Sequence, residues 1–514
     1  ELHDPMLMLD LAAAVERIER AIAARETILV QGDYDVDGIT STYVLHTTLA
    51  GLGGVSRCRI PHRTRDGYGL TTAAVDEARA LGCTLIVTVD CGITAVKAVA
   101  HARTLGIDTV ITDHHEPAAT LPEACAVVNP LRPGCPYPFK SLAGVGVTYK
   151  LAEALLRAHG RPERAEDFLE LVALGTIADV VPLKGENRIL AAVGLERLRT
   201  TRHLGLKALI ERAQVAGRTL TSGQVAFVLA PRINAAGRMG HAEQALRLLM
   251  ARDEGEARAC AESLEEDNER RRVHDQGVAA DAITRVEQEL GWPQCASILL
   301  ASDAWHPGVL GIVASRLVER FQRPTILVAF ERDGDRGRGS GRSLPGLDLT
   351  GVLDGCADLL EVYGGHALAA GLTVRRARLE ALRERFDRLV RERTTPGDFV
   401  RRLDIDADVT LGECDAGLVG WIERLAPHGL GNPEPVYRAA RVEVTAATVV
   451  GGGKHLRLSV RDATGTAEAI GFGLGAQAEK VRAAGACALA FVPMRNEWNG
   501  VARVQLKLKD VQGP

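Results

Sequence analysis

Residues 27–38 read TILVQGDYDVDG, an apolar β-branched run that leads directly into three aspartates at alternate positions. The run predicts a strand. If the extended backbone continues past that strand, the carboxylates of Asp33, Asp35 and Asp37 all point to one face. Three like charges held together repel one another unless a cation joins them. This stretch therefore predicts a cation site at the end of a strand.

A calcium-binding EF-hand loop is an alternative for the same stretch, because that loop also begins with alternating acidic residues. The loop needs a glutamate at its twelfth position, and Val44 stands there in this chain. The EF-hand hypothesis is therefore excluded.

The alternation of apolar runs with helical patterns continues from about residue 27 to about residue 180. This βαβ rhythm predicts a mainly parallel sheet, in which ligands bind at the carboxyl ends of the strands. Three more acidic or imidazole groups follow such apolar runs: Asp90 in LIVTVDCG, Asp113–His115 in VITDHHEP and Asp179 in LVALGTIADVVPL. Each alone has a structural explanation, as a helix cap, a surface pair or a turn residue. Four clusters in succession favour a shared site.

The chemistry of these groups indicates which cation they bind. Carboxylates with imidazole suit Mn²⁺ or Mg²⁺, and no cysteine is needed. Two such ions side by side can activate water and stabilise the leaving oxygen of a phosphoester. The clusters contain enough ligands for two ions.

The residue pattern divides the whole chain into four parts. A highly charged helical stretch with apolar residues three and four apart follows a helical region and predicts a solvated helix between two domains. A second α/β region begins near residue 295, and short alternating runs after residue 400 predict a small antiparallel barrel. The predicted domains are residues 1–250, a connecting helix at 251–292, a second α/β domain at 293–397 and a single-strand-binding barrel at 398–514.

Composition limits the environment and the kind of partner. Aromatic residues make up 4% of the chain and the net charge is −4, so contacts to a polyanion must be local and rely on arginine, lysine and backbone amides. The ten cysteines show no CxxC spacing, which argues against structural zinc. No uncharged apolar stretch reaches membrane-spanning length. A cytoplasmic protein without a membrane partner is predicted.

The motifs DYDVDG, VDCG, TDHH and ADVVP resemble the four signature motifs of the DHH phosphoesterases, in the usual order. The resemblance implies two Mn²⁺ or Mg²⁺ ions with Asp90 as the bridging ligand. It places Asp33 and Asp35 at one ion and Asp37, His114 and Asp179 at the other. His115, with Asp113, is implied to act on the phosphate as a proton donor or an electrostatic clamp. Gln31 stands where some relatives carry a histidine.

The second α/β region contains GGHALAAG, residues 364–371, which resembles the glycine-rich motif of the DHHA1 domain. We expect a turn that opens a helix and lets Gly364, Gly365 and His366 approach a phosphate. Tight packing of small residues is the structural alternative.

Three further segments resemble RecJ-type motifs or supply positive charge. RINAAGRMGHA and SDAWHPGVLGIVASRL carry the resemblance, and RGRGSGRS predicts a flexible basic loop that could bind phosphates. A solvated turn is the alternative for that loop. The candidate nucleic-acid contacts are Arg232, Asn234, Arg238, His306, Ser340 and Arg342.

The C-terminal barrel resembles the oligonucleotide-binding (OB) domain of the RecJ family. Lys454, Arg457 and Trp498 are its candidate DNA contacts, the last as a stacking platform. A purely structural barrel is the alternative.

The resemblance implies a 5′→3′ exonuclease specific for single-stranded DNA, which releases 5′-mononucleotides by two-metal-ion hydrolysis in DNA repair and recombination. Single-strand binding protein and a RecQ-type helicase are the implied protein partners. One alternative is a phosphodiesterase of short oligoribonucleotides or cyclic dinucleotides. A second is a non-catalytic DNA-binding relative, against which the intact acidic and imidazole set argues. The native metal, the oligomeric state, the 5′-phosphate pocket and the tolerance for RNA stay open at this point.

Overall fold

A computed structural model of the chain describes residues 1–63, 65–217, 219–331, 334–498 and 501–513. Within these residues three sheets follow one another along the chain, and each is packed on its own hydrophobic cluster or clusters. Two α/β domains and a C-terminal β-barrel result. Among the described residues no helix is both long enough and apolar enough to cross a membrane.

The first domain is built on a five-stranded, fully parallel sheet in the order β2-β1-β3-β4-β5. Its strands are β1 (Thr27–Gln31), β2 (Val55–Arg59), β3 (Cys83–Val89), β4 (Asp108–Thr112) and β5 (Ala126–Val128). Its helices are α1 (Leu11–Ala23), α2 (Val36–Gly51), α3 (Thr72–Ala80), α4 (Val96–Thr104), α5 (Gly144–Ala158), α6 (Leu169–Ala178), α7 (Gly185–Leu198), α8 (Leu204–Arg212), α9 (Ser222–Gln224), α10 (Ala230–Met239) and α11 (Ala242–Leu249).

The predicted long helix is confirmed as α12 (Glu254–Glu289), which begins at the N-cap Asp253. It is less solvated than its charge suggests. Ala257, Cys260 and Leu264 near its start belong to the core of the first domain, whereas Val278 and Val286 near its end belong to the core of the second. The helix therefore joins the two domains by contributing to both cores.

The second domain contains a mixed sheet in the order β6-β7-β8-β10-β9. Its strands are β6 (Ile298–Ser302), β7 (Thr325–Phe330), β8 (Arg336–Arg342), β9 (Leu360–His366) and β10 (Ala369–Arg375), and its helices are α13 (Leu310–Phe321), α14 (Leu349–Asp354) and α15 (Leu379–Arg393). Only β6 and β7 are parallel to each other; the other neighbouring pairs are antiparallel.

The third domain is a barrel of five strands, closed by pairing of β12 with β15. Its elements are β11 (Ala407–Asp408), α16 (Ala416–Leu425), β12 (Tyr437–Val450), β13 (His455–Arg461), β14 (Thr466–Gly471), α17 (Ala478–Ala484), β15 (Ala486–Trp498) and β16 (Val501–Gln512). The short β11 lies parallel to β12 outside the closed barrel. The predicted small barrel is confirmed, and its strand pairs are antiparallel except β14 with β16, which is parallel.

Three local predictions are wrong. The strand does not continue into the aspartates: β1 ends at Gln31, Asp35 caps α2, and Asp37 lies in the first turn of that helix. GGHALAAG opens no helix but forms the β9–β10 hairpin, because β10 pairs with both β8 and β9. RGRGSGRS is no flexible loop either, since its first seven residues form β8.

Candidate metal centre and substrate cleft

Acidic and imidazole side chains meet at the carboxyl edge of the parallel sheet. Asp33 follows β1, Asp90 follows β3, and Asp113 to His115 follow β4, while α2 and α6 bring Asp37 and Asp179 to the same place. Among the described residues, three groups of side chains are close enough to hold a metal ion: Asp33–Asp35–Asp90, Asp37–His114–Asp179 and Asp90–His114–His115. Within each group the candidate ligand atoms lie within 4.8 Å of one another.

His114 is central to the second group. Its Nε2 atom lies 3.8 Å from Asp37 Oδ2, 3.2 Å from Asp90 Oδ1 and 3.6 Å from Asp179 Oδ2. Because Asp90 also belongs to the group with Asp33 and Asp35, it lies between two candidate ion sites.

Burial and mutual repulsion outweigh the nearby positive charges at the acidic residues of the centre. Burial raises the pKa of Asp37 to about 7, and the negative charge of Asp35 adds to this rise. Burial, followed by neighbouring carboxylates, also raises the pKa of Asp33, Asp90 and Asp179. Such a group is costly without a cation, since each buried negative charge disfavours the next.

Three buried atoms provide a direct test of whether metal ions fit. Asp33 Oδ1, Asp90 Oδ1 and His114 Nε2 are buried and have no hydrogen-bond partner in the protein. Burial lowers the pKa of His114 to about 4, so the imidazole is neutral and can act as a ligand. Carboxylate oxygens and a neutral imidazole form the ligand set that Mn²⁺ and Mg²⁺ sites use, and the residues fit two such ions.

Backbone geometry positions the carboxylates. Both oxygens of Asp37 accept hydrogen bonds from the amides of Gly144 and Val145 at the start of α5, each 2.7 Å long. Gly144 has to be glycine because an added Cβ atom would lie 2.3 Å from Asp90 Oδ1. Asp90 and Val180 both adopt the left-handed backbone region, with φ of 59° and 62°. Non-glycine residues rarely adopt this conformation, and it is often found at functional sites.

Asp113 holds the His115 ring in place. Its Nδ1 atom lies 2.7 Å from Asp113 Oδ1, while the other oxygen of Asp113 accepts the amide of Ile93 at 2.9 Å. Burial alone would lower the pKa of His115, but the hydrogen bond to Asp113 and its charge outweigh burial and raise the pKa. The raised pKa favours the protonated imidazole, which can donate through Nε2 while Asp113 holds Nδ1.

Tyr68 belongs to the site and was missed by sequence reasoning. Its hydroxyl donates to the carbonyl oxygen of Asp90 at 3.2 Å and lies 3.0 Å from His115 Nδ1. It precedes α3 in the loop after β2, where the residue pattern carries no sign of chemistry. Only the fold brings it to His115.

An arginine cluster lies where the first and second domains meet. Burial, together with the charges of Arg63, Arg271 and Arg342, lowers the pKa of Arg238 to about 9. Arg238 also donates to the carbonyl oxygen of Gly308 at 3.0 Å, which links α10 to the second domain. Arg63 and Arg271 were not predicted, since neither lies in a motif.

The other candidate nucleic-acid contacts differ in how far their side chains are already engaged within the protein. The Arg232 guanidinium pairs with Glu265 at 2.6 Å and also donates to Val228 O, so its contacts are structural. Asn234 Oδ1 accepts the amide of Val36 at the start of α2, which supports the metal-binding segment. The His306 ring stacks on His274, with centroids 5.0 Å apart. Ser340 Oγ accepts from Arg342 at 3.2 Å.

The remaining predicted contacts lie further along the chain. Gly364, Gly365 and His366 are exposed at the end of β9, next to the hairpin turn. In the barrel, Lys454 is exposed in the β12–β13 turn, and Arg457 pairs with Glu468 at 3.3 Å. Trp498 ends β15, and its side chain lies outside the described part of the chain.

Two family models match the α/β domains: the DHH family N-terminal domain at residues 27–176, which includes the metal-centre residues from Asp33 to His115, and the DHHA1 domain at 294–392. Fold and site together define a metal-dependent phosphoesterase of the DHH class. The RecJ OB domain model matches residues 405–510, and the RecJ exonuclease of Salmonella typhimurium is 37% identical over 97% of this chain and 89% of that protein. The chain belongs to the RecJ family of single-stranded-DNA-specific exonucleases.

Two other comparisons agree. The single-stranded-DNA-specific exonuclease RecJ of Bacillus subtilis is 39% identical over 99% of this chain, and the chain spans 64% of that protein. The crystal structure of Thermus thermophilus RecJ with Mn²⁺ matches with a TM-score of 0.85 at 33% identity, over 99% of this chain and 72% of that one. The same relative has been solved with Mg²⁺, at a TM-score of 0.77 and 30% identity over 99% of this chain and 70% of that one. The cofactor class predicted from the ligands is thus confirmed.

Proposed function

We propose that this chain degrades single-stranded DNA from a 5′-phosphorylated end and releases mononucleotides. Family membership supports the substrate class. The observation that carries the proposal is an arginine cluster around Arg238, which can hold a chain end, beside a metal centre with unpartnered buried ligand atoms. The 5′→3′ polarity is what the resemblance to the RecJ family implies. An exonuclease needs one group that holds the chain end and another that cleaves next to it, and these two clusters can fill the two roles.

The arginine cluster suits a terminal phosphate. Arg63, Arg238, Arg271 and Arg342 come from separate segments, and their mutual repulsion is relieved when an anion binds among them. Guanidinium groups bind phosphate through two parallel hydrogen bonds. The charge of Arg63 also lowers the pKa of Asp33, so the cluster lies within electrostatic reach of the first ion site. A 5′ phosphate held there would leave the adjacent phosphodiester bond for the metal centre.

The protein side chains have separate tasks in the cleavage step. Two divalent ions, when bound, supply an activated water and neutralise the charge that develops on the phosphate and the leaving oxygen. His115 donates a hydrogen bond or a proton from Nε2 to a phosphate oxygen, and Asp113 holds its ring through Nδ1. Tyr68 orients the same ring and the Asp90 backbone.

The test compares two long single strands, one labelled at its 5′ end and the other at its 3′ end. We expect the 5′ label to appear at once as a mononucleotide, and the 3′ label to be released only late. The Asp90→Asn variant, which keeps the shape of the side chain but removes its charge, should fold and be inactive. Early release of the 3′ label would contradict the polarity. Faster turnover of a dinucleotide or a cyclic dinucleotide than of the long strand would favour the short-oligonucleotide alternative instead.

The family resemblance extends to partners and compartment. Single-strand binding protein and a RecQ-type helicase are the proposed protein partners, in DNA repair and recombination. All ten cysteines are free, which suits a reducing cytoplasm. Co-purification of either partner with the intact protein, in the presence of nuclease to remove bridging DNA, would support direct contact.

A further inference from the structure

The barrel domain contacts the first domain next to a metal-centre residue. Asp179 is the C-cap residue of α6, and the five residues that follow it, 180–184, form a short segment leading to α7. Residues 426–432, which we call the docking loop, connect α16 to the barrel strands and lie against that segment. The amide of Leu183 donates to the carbonyl oxygen of Leu430 at 2.7 Å.

Packing between the docking loop and the segment is close. An added Cβ atom at Gly429 would lie 2.7 Å from Leu183 Cδ1, and one at Gly431 would lie 3.2 Å from Pro182 Cβ and from Lys184 Cε. Gly431 also has a φ of 72°, which disfavours any other residue. These two positions therefore let the loop approach the segment at van der Waals distance.

Further hydrogen bonds fix the loop on the first domain. Arg188, on α7, donates to the carbonyl oxygens of Arg424 and Leu425 at the end of α16, at 3.2 Å and 3.0 Å. The Ser222 hydroxyl donates to the carbonyl oxygen of His428. Within the loop, the Asn432 side chain donates to Leu425 O and Pro427 O, both at 2.9 Å. The loop is therefore held both internally and from outside.

The segment needs such support. Val180 is β-branched and has a φ of 62°, a conformation that persists only when the surroundings enforce it. On the first-domain side, the Asn187 side chain donates to Pro182 O at 3.1 Å. On the other side, the Leu183 amide is held by the docking loop. If the loop were released, the backbone at Val180 could relax and turn Asp179 away from His114, which lies 3.6 Å from it.

We propose that the barrel domain, through the docking loop, positions Asp179 for metal binding, in addition to any contact with DNA. This inference rests on the proposed function, since it takes Asp179 as a metal ligand. The positioning residues are Arg188, Gly429 and Gly431. A barrel that only tethers DNA would affect long substrates; a barrel that positions Asp179 affects metal binding and the cleavage of every substrate.

Two variants and a matched control separate these roles. Gly431→Ala forces a Cβ atom towards Pro182 and Lys184, and Arg188→Ala removes the bonds to α16 without adding an atom. The control is Gly485→Ala, in the same domain: its φ of 65° brings the same backbone strain, but an added Cβ atom meets no atom within 4 Å. Thermal unfolding checks that each variant folds, and Arg188→Ala decides the question if Gly431→Ala does not.

Mn²⁺ binding is measured by titration calorimetry, and kcat and KM are measured on a 5′-phosphorylated dinucleotide. We expect Gly431→Ala and Arg188→Ala to bind Mn²⁺ at least fivefold more weakly and to lose about tenfold in kcat at limiting Mn²⁺ with little change in KM; excess Mn²⁺ should reduce the loss. Arg188→Lys should recover part of the affinity, and Gly485→Ala should match wild type. Wild-type Mn²⁺ affinity in both folded variants overturns the inference. Failure of the wild-type protein to bind Mn²⁺ or to cleave would overturn the proposed function itself.

Discussion

Asp90 shows how closely single residues are constrained in this centre. Its carboxylate is buried, its Oδ1 accepts no hydrogen bond from the protein, and its backbone is left-handed. Gly144 faces it so closely that even a methyl group would overlap Oδ1. The position of Asp90 therefore depends on the absence of a side chain at Gly144 as well as on the contacts that its neighbours make.

Gly144→Ala is expected to disrupt the centre because the new Cβ atom would lie 2.3 Å from Asp90 Oδ1. Mn²⁺ binding should weaken severely and cleavage should fall by about a hundredfold, comparable to a misplaced catalytic group. Calorimetry and single-strand degradation measure both effects. Gly146→Ala is the control on the same helix, because the nearest atoms to its Cβ would belong to the Leu142 side chain, the closest at 3.2 Å. Equal activity of the two variants would contradict the steric explanation.

Tyr68→Phe is expected to lower kcat about tenfold, less than the hundredfold or more typical of a lost proton donor, because the hydroxyl orients the His115 ring and the Asp90 backbone but transfers no proton itself. Since the hydroxyl lies 3.0 Å from His115 Nδ1, its removal should also shift the pH profile of kcat. Tyr363→Phe, which loses an exposed bond to Asp354, provides the control. An unchanged pH profile would mean that Tyr68 has no role in orienting His115.

At the scale of elements, β8 is the main example of a strand whose two faces differ: one carries glycines and the other carries basic and polar side chains. Its glycines 337, 339 and 341 face the core, where added Cβ atoms would meet Val328, Leu372 and Leu349. The residues between them carry the basic and polar side chains. Because the strand pairs with β7 and β10, Arg342 is held in the sheet instead of on a mobile loop.

Arg342→Ala is expected to raise KM for a 5′-phosphorylated strand at least tenfold, with a smaller effect on kcat, because it removes a cation from the proposed phosphate pocket. Steady-state kinetics on phosphorylated and 5′-hydroxyl strands should show the loss only with the phosphate. Arg336→Ala on the same strand should change KM less than twofold, as Arg336 pairs with Glu361 at 2.6 Å and is largely exposed. An equal rise in KM for the phosphorylated and the 5′-hydroxyl strand would mean that Arg342 contacts an internal phosphate of the strand instead of the terminal one.

At the scale of the whole molecule, four carboxyl groups with raised pKa values make the metal-free fold sensitive to pH. An aspartate ionises near pH 4 in the unfolded chain. A carboxyl whose folded pKa is higher stabilises the fold fully below that pH, and the contribution is lost as the pH rises through the folded pKa, about 7 for Asp37. The metal-free protein should therefore lose stability from this source between about pH 4 and about pH 7.

Bound Mn²⁺ should reverse this loss, because it stabilises the ionised carboxylates. We expect the increase in Tm on adding Mn²⁺ to be several degrees larger at pH 7.5 than at pH 5.5, measured by thermal unfolding with Mn²⁺ or with chelator. For Gly144→Ala, the increase in Tm on adding Mn²⁺ should be small at both pH values. An increment in Tm that stays constant or falls as the pH rises would show that these carboxyl groups are ionised without metal.

The sequence by itself determined the parts of this protein that depend on local pattern. Strand-end aspartates and histidines, the order of the motifs, the long helix and the alternating strands of the barrel are each readable within a few turns or strand residues. RGRGSGRS is an exception, because its glycines favour a flexible loop although the segment forms strand β8.

Tertiary structure alone decided what depends on residues distant in the chain. Tyr68 meets His115, Arg63 and Arg271 join Arg238, and Leu183 meets Leu430 across 247 positions, by their numbering. GGHALAAG became a hairpin because β8 lies beside it, not because of its own composition. Such contacts follow from packing within and between domains, and short-range periodicity carries no record of that packing.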